Sequence, residues 1–242
     1  MGSNLTFSLD PQQLTQAKIL HLLQTGQSYE PETTELAISL LEPGDTFIDI
    51  GAHVGWFSLL ASRVVGESGR VFSFEPEANN FSRLIENIRI NDCKNVQPIF
   101  MAVSGKDSFL DFYINMDNDG GHCFWNCGLD EFNEKSRQNP VVTKTMTVSI
   151  DTFLGNWFSR PIKLMKIDTE GAELNVIHGA CASLSMHKIE HVIAEMHTNG
   201  LEVLGGSEAE FRGTMKRYGY QSKDIDNKQD GFVYNVHFYL ED

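Results

Sequence analysis

The spacing of apolar residues along the chain switches repeatedly between two periods. Helical spacing marks residues 10–24 (Leu14, Ala17, Ile19, Leu20, Leu23), Thr33–Leu41, Trp56–Val65, Ala78–Asn91, Ala172–Gly179 and Glu208–Tyr218. Short apolar runs lie between these segments, at Thr46–Ile50, Val71–Phe74, Val96–Val103, Ile162–Ile167 and His191–Met196. Runs of that length, separated by helices, predict strands buried on both faces of a parallel sheet. A strict period of two appears at Leu110, Phe112 and Ile114, again from Val142 to Ile150, and in Gly231–Leu240. Those three predict strands of antiparallel character, the last one terminal. Asp151–Trp157 is expected to be a short helix capped by Asp151. The whole is an α/β chain of Rossmann-like type, mostly parallel, with helices on both faces.

The alternation divides the chain into a helical extension at 1–42, expected to pack on the core, and one domain at 43–242. An insertion at about 105–150 interrupts the domain as a hairpin whose strands flank residues 115–139, rich in Asp, Asn and Gly. Long irregular stretches within a compact domain usually carry function. Phe124 and Trp125 are unusual in a solvated loop, so this stretch is expected to act as a lid over substrate, with Gly120–Gly121 as a flexible point.

The densest chemical signal follows the first predicted strand. Thr46–Gly55 reads T-F-I-D-I-G-A-H-V-G and leads straight into a helix, which is a strand, a tight turn and a helix start. Asp49, Gly51 and Gly55 form an Asp-x-Gly-x-x-x-Gly turn at a strand's carboxyl end, where open α/β sheets bind ligands, and the glycines are expected to let the backbone approach one. A dinucleotide fingerprint would need glycines at 53 and 56, where this chain has His53 and Trp56. An adenosyl ligand without phosphates tolerates that turn, and S-adenosylmethionine, leaving S-adenosylhomocysteine as product, is the ligand expected. The helix N-terminus would meet its carboxylate, with Ser58 adding a hydroxyl. Glu75, followed by Pro76, falls twenty residues after Gly55 at the tip of the next strand. A carboxylate there can accept both hydroxyls of a ribose diol. Ala102, at the end of the third strand, leaves room for the adenine.

D-I-G-A-H-V-G, then F-S-F-E-P, then L-M-K-I-D-T-E-G-A-E-L-N-V-I-H-G-A from Leu164 to Ala180 resemble the FkbM family of S-adenosylmethionine-dependent methyltransferases. The similarity runs from about Tyr29 to His197. The resemblance implies the class I methyltransferase fold, a seven-stranded sheet with an antiparallel C-terminal strand. It also implies O-methylation of a hydroxyl on a sugar or other small natural product. It places Asp168 in the third motif, and lets Tyr29 and Glu30 cover the methionine end of the cofactor. Methyl transfer from a sulfonium needs positioning and a base for the acceptor's proton. Asp168, Glu170, Glu195 and His197 stand at the ends of the fourth and fifth strands, and Asp168 and His197 are the catalytic candidates. Glu173, and on the plainer reading Glu170, would serve the dipole of the helix that follows.

Composition narrows the partners. A net charge of −14 with no basic stripe argues against nucleic acid. No apolar run is long enough to span a membrane, and the N-terminus lacks the layout of a signal peptide. Four scattered cysteines suit a reducing, cytoplasmic compartment. His122, Cys123 and Cys127 lack the partners of a zinc site. No spacing requires a metal, although Asp168 and Glu195 would suit magnesium. The Asn/Asp-Pro-Pro-aromatic motif of base-directed amino methyltransferases is absent, since the fourth strand ends in Asp168-Thr169-Glu170-Gly171. The expected partner is therefore a small-molecule hydroxyl acceptor. Transfer to nitrogen or carbon, a non-catalytic adenosyl-binding protein and a nicotinamide oxidoreductase are the alternatives. The oligomeric state is left open.

Overall fold

The computed structural model describes residues 5–155, 161–226 and 233–241. The chain runs α1 (Leu14–Gln24), α2 (Pro31–Leu40), β1 (Thr46–Ile50), α3 (Trp56–Val65), β2 (Arg70–Phe74), α4 (Ala78–Ile90), β3 (Val96–Ile99), β4 (Ala102–Val103) and β5 (Ser108–Ile114). It continues with a 3-10 turn at Cys127–Leu129, α5 (Glu134–Gln138), β6 (Val141–Val148), α6 (Ile150–Leu154), β7 (Ile162–Ile167), α7 (Glu173–His178), α8 (Cys181–Ser185) and β8 (Ile189–His197). It closes with α9 (Thr198–Val203), α10 (Glu208–Arg217), β9 (Tyr220–Asp224) and β10 (Val233–Leu240).

A seven-stranded sheet of order β3-β2-β1-β7-β8-β10-β9 forms the frame. Its first five strands pair in parallel, while β10 runs antiparallel to both neighbours. Strands β1 and β7 are buried almost throughout, because helices cover both faces. The strand order reverses between β1 and β7, which puts a crevice outside their carboxyl ends.

Several boundaries differ from the sequence expectation. The third strand ends at Ile99, and Ala102–Val103 belong to a second sheet of order β4-β6-β5. Met101 N–H turns back to the Ile99 carbonyl, and β4 then pairs with Thr147–Val148 of β6. Strand β9 was not expected: only Tyr220 of Y-Q-S-K-D is buried, so this edge strand shows no period of two. Ser149, rather than Asp151, caps α6 by accepting from Thr152 N–H. Asp151 instead accepts from the N–H groups of Ala182 and Ser183 at the start of α8. Trp157 of the predicted helix and Gly231 of the predicted terminal strand lie outside the described residues.

The segment before β1 is fastened to the core. Asn91 exchanges two hydrogen bonds with the backbone of Thr6, and Asn87 links Ser8 N–H to the Val54 carbonyl of the glycine turn. Phe7 stacks on Trp56 with ring centroids 5.3 Å apart, and α1 reaches the crevice.

The insertion is folded. Residues 115–139 are pinned by Ser136 and Asn115, which hold both ends of the loop, and by a bridge between Tyr113 and Cys123. Gly120 and Gly121 sit in tight quarters rather than at a flexible point. A Cβ on the first would lie 2.8 Å from Thr15 Oγ1, and on the second 2.7 Å from Asn115 Nδ2.

Gly51 is the tightest joint in the frame. Its φ is +81°, and a Cβ there would lie 1.8 Å from the Asp168 carbonyl oxygen, so the ends of β1 and β7 could not meet. Gly51→Ala is expected to lower the unfolding free energy in urea by at least about 2 kcal/mol through strain and forced displacement. A midpoint equal to that of the parent would refute this account of the joint.

Candidate functional site

The crevice at the strand reversal is walled by the ends of β1, β2, β7 and β8, by α1 and the α1–α2 turn, and by the insertion. Each wall brings particular side chains, and two groups carry chemistry.

The first group surrounds Glu75. The turn is closed by Gly51 and Ala52 N–H groups donating to the Phe74 carbonyl, and by His53 at φ +50°. Glu75 is 5% exposed and accepts from His53 N–H on one oxygen and from Glu77 N–H on the other, both at 2.8 Å. Each oxygen keeps lone-pair capacity toward the cleft, where a diol could donate to both. Burial pushes the Glu75 carboxyl up to about 7, against the opposing pull of the Glu77 backbone and of His53. Pro76, Phe74 and Ala102 add flat apolar wall beside it, and Phe112 and Phe124 of the insertion face the same space.

The insertion is held in place by a buried carboxylate. Asp119 meets His53 Nε2 at 2.8 Å, accepts from Thr15 N–H at 2.7 Å and accepts from Gln16 Nε2 at 3.1 Å. Asn80 on α4 donates to the Asp119 carbonyl. One residue thus ties the insertion to α1, α4 and the glycine turn.

The second group is a knot of charge at the ends of β7 and β8. Lys166 is 1% exposed and donates to Asp168 Oδ2 at 2.7 Å, with its ammonium 4.5 Å from the Phe57 ring centroid. Burial lowers its pKa, but Asp168, Glu30, Asp49 and Glu195 outweigh burial and raise it. Asp168 moves the other way: burial opposes its charge, yet Lys166 holds the carboxyl below its ordinary value. Glu195 and Glu30 are both raised, chiefly by burial and then, among other charges, by Asp168. Burial and the carboxylates of Asp168 and Glu173 raise Glu170 too. The Asp168 carboxyl is thus lowered while those of Glu30, Glu170 and Glu195 around it are raised. Carboxylate oxygens of Glu30, Asp168 and Glu195 lie within 4.8 Å of one another, a set that could hold a hard cation. Asp168 already spends one oxygen on Lys166.

Of the residues expected from sequence, Gly51, His53, Glu75, Pro76, Ala102 and Asp168 line the cleft, as do Tyr29 and Glu30. Four others lie elsewhere. Ser58 is fully buried and donates to Asp49 Oδ2, so its hydroxyl serves the interior between α3 and β1. Asp49 is 1% exposed behind the turn, beside Lys166 in the strand register. Gly55 is a packing glycine whose missing Cβ makes room for Leu84 and Leu59 at 2.7 and 2.8 Å. His197 accepts from Gly200 N–H with Nδ1, capping α9, while Nε2 faces Glu170 at 3.5 Å. It does not line the cleft, and burial lowers its pKa. The glycines of the turn are required by chain-on-chain contact, and Gly51 lines the cleft as well. His122, the other imidazole considered, accepts from Asn115 N–H and has no metal-ligand set around it among the described residues.

Sequence reasoning missed Lys166 and Asp119. A lysine within a central strand covered on both faces was a usable signal, since such a charge must be buried with partners. Asp119 gave none, because its partners lie 66 and 104 residues away.

Comparison with known proteins gives the site its context. Residues 49–222 match the methyltransferase FkbM domain. A stretch of 149 residues is 27% identical to Methyltransferase 1 of Beauveria bassiana, covering 57% of this chain and 59% of that one. A methyltransferase FkbM structure from Methylobacillus flagellatus KT superposes with a TM-score of 0.54 at 15% identity, over 93% of this chain and 54% of the other. The chain thus spans little more than half the length of either relative. A Streptococcus mutans protein solved in complex with SAH gives a TM-score of 0.52 at 11% identity, over 86% and 94% of the two chains. At such identities the structural likeness is one of fold.

The raised Glu75 carboxyl has a consequence for stability. A group whose folded value exceeds its ordinary 4.5 favours the fold below that pH and loses the contribution as pH rises through about 7. Unfolding free energy is expected to fall more steeply from pH 5 to pH 8 in the parent than in Glu75→Gln, measured by urea titration. Parallel profiles would refute the burial of Glu75.

Proposed function

Because the chain belongs to the methyltransferase FkbM family, we propose that it binds S-adenosylmethionine in this cleft and transfers the methyl group to a hydroxyl of a small polar acceptor. The observation that carries the reading is Glu75: a buried carboxylate at the tip of β2, one backbone donor on each oxygen, facing a cleft at the strand reversal. That arrangement suits a ribose diol, and the walls formed by Phe74, Pro76 and Ala102 suit a purine. Binding a diol favours the ionised form of Glu75, so affinity for the adenosyl ligand rises with pH through about 7.

S-adenosylmethionine, when bound, supplies a methyl group on a cationic sulfur and leaves as the neutral thioether. The remaining work belongs to the chain. Asp168, held low by Lys166, would accept the acceptor's O–H hydrogen bond and take up its proton as the methyl group passes to that oxygen. A carboxylate held low is a weak base, so its main contribution is orientation, with proton uptake late on the path. The surrounding acids favour a cationic cofactor over its neutral product. Phe112 and Phe124 restrict water on the insertion side. The Asp168 carboxylate, an acceptor of hydrogen bonds, suits the O–H of a hydroxyl acceptor.

Calorimetry with S-adenosylhomocysteine is expected to show binding that weakens about tenfold or more in Glu75→Ala, the scale of a lost pair of charge-assisted hydrogen bonds. Asp168→Asn is expected to keep that affinity within about threefold while product formation with a panel of hydroxyl acceptors drops about a hundredfold or more. Undiminished binding in the first variant removes the ribose assignment. Undiminished turnover in the second removes the role of Asp168.

A further inference from the structure

The cofactor cleft abuts a second, outer cleft formed by the α1–α2 turn and the ends of β8, β9 and β10. The two share Lys18, Tyr29, Glu30 and Glu195, so they adjoin along that seam. Among the described residues the outer walls carry Glu30, Glu32, Glu195 and Asp226 against one cation, Lys18, whose ammonium stands 5.6 Å from the Tyr29 ring centroid.

Two acceptor atoms on these walls have no hydrogen-bond partner. Asn235 is 3% exposed, and its Oδ1 is buried and unpaired. Its orientation is fixed, because Nδ2 donates to Asp226 Oδ2 at 3.1 Å and its backbone N–H donates to Asp226 Oδ1 at 2.7 Å. Asn235 stands opposite Glu195 in the β10–β8 register, so the two side chains are neighbours on one face of the sheet. Glu30 Oε2, across the seam, is the second unpaired atom. A buried acceptor without a donor is costly, and two of them beside a crowd of carboxylates call for a ligand that is all donor.

We propose that the outer cleft is the acceptor site and that it recognises a hydroxyl compound by a protonated amine, seated against Asn235 Oδ1 and Glu195. An ammonium brings three donors and no acceptor, which matches a wall of lone pairs. A neutral polyol brings as many acceptors as donors and carries no charge to set against the four acids, while Lys18 is the one charged donor on these walls among the described residues. The raised Glu195 and Glu30 carboxyls are consistent, since a ligand cation would let them ionise. The assignment rests on the methyl-transfer reading of the neighbouring cleft.

The test uses the full chain at pH 6.5 and fixed ionic strength. Binding of S-adenosylhomocysteine is measured first, which judges the cofactor reading on its own. Glucosamine, glucose and magnesium chloride are then titrated separately, by ligand-observed NMR and calorimetry, with and without S-adenosylhomocysteine. Glucosamine is expected to bind about tenfold more tightly than glucose, the scale of a charge-assisted hydrogen bond at a buried acceptor. Asn235→Ala is expected to erase most of that preference while S-adenosylhomocysteine affinity stays as in the parent, which also shows that the variant is folded. Equal affinity for the two sugars, binding of neither, or an unchanged preference in Asn235→Ala would overturn the proposal. Displacement of glucosamine by magnesium would overturn it as well, by making the acids a metal seat.

Discussion

One buried ammonium organises the reactive end of this molecule. Lys166 comes up through the middle of the sheet with its charge out of water, and only carboxylates can make that tolerable. Asp168 supplies the direct contact, while Asp49, Glu30 and Glu195 supply field from three other elements. The dependence is mutual, since Lys166 in turn pulls down the carboxyls of Asp168, Asp49, Glu30 and Glu195 against the effect of burial. The result is a set of opposed shifts, with Asp168 lowered and Glu30 and Glu195 raised. Closely spaced titratable groups pushed in opposite directions are a mark of sites built for binding or catalysis. Here the acid bonded to the lysine is lowered, and the two beyond it are raised chiefly by burial.

The backbone joint beneath that knot is equally constrained. Strands β1 and β7 converge so tightly that the Asp168 carbonyl occupies the place of a Gly51 side chain. Asp168 is therefore positioned from both sides, through its main chain against the glycine turn and through its side chain against Lys166. The same turn carries His53 N–H to Glu75 and its ring to Asp119. A short stretch of about five residues thus links the diol-facing carboxylate, the charged knot and the insertion. This explains why the turn was so prominent in the sequence, although the glycines serve packing.

What was legible in the sequence was whatever is local. The turn, the acid at the tip of β2 and Asp168 at the end of β7 each announce themselves within a few residues of a strand end. The parallel core was equally visible, because strands covered on both faces are continuous apolar runs. The unread parts depend on distance along the chain or on cancelled signals. Strand β9 has one buried residue and so no period. Val96–Val103 is apolar throughout, which concealed the break where β4 leaves for another sheet. Ser58 and His197 looked reactive by residue type and strand position. The structure gives one a buried partner in Asp49 and the other a helix to cap. A polar side chain near a site has two uses for its hydrogen bonds, and sequence alone does not say which prevails.

The contrast between the two clefts follows from how each polar wall is satisfied. Both oxygens of Glu75 have one donor from the protein, so that end of the cleft is ready for a ligand of defined shape that adds a second. Across the seam, Asn235 Oδ1 and Glu30 Oε2 have none. Two bare acceptors on the outer walls set a demand for a donor-rich ligand there. The elements that set this demand, the α1–α2 turn and β10, lie outside the glycine turn and its neighbouring strands. The inner wall is fixed by strands whose ends must meet in one geometry. The outer wall is built on a helix connection and a strand nearer the sheet's edge, where substitution costs the frame less. Discrimination among acceptors therefore belongs to Glu30, Glu195 and Asn235, and the frame that holds Asp168 can stay the same while they change.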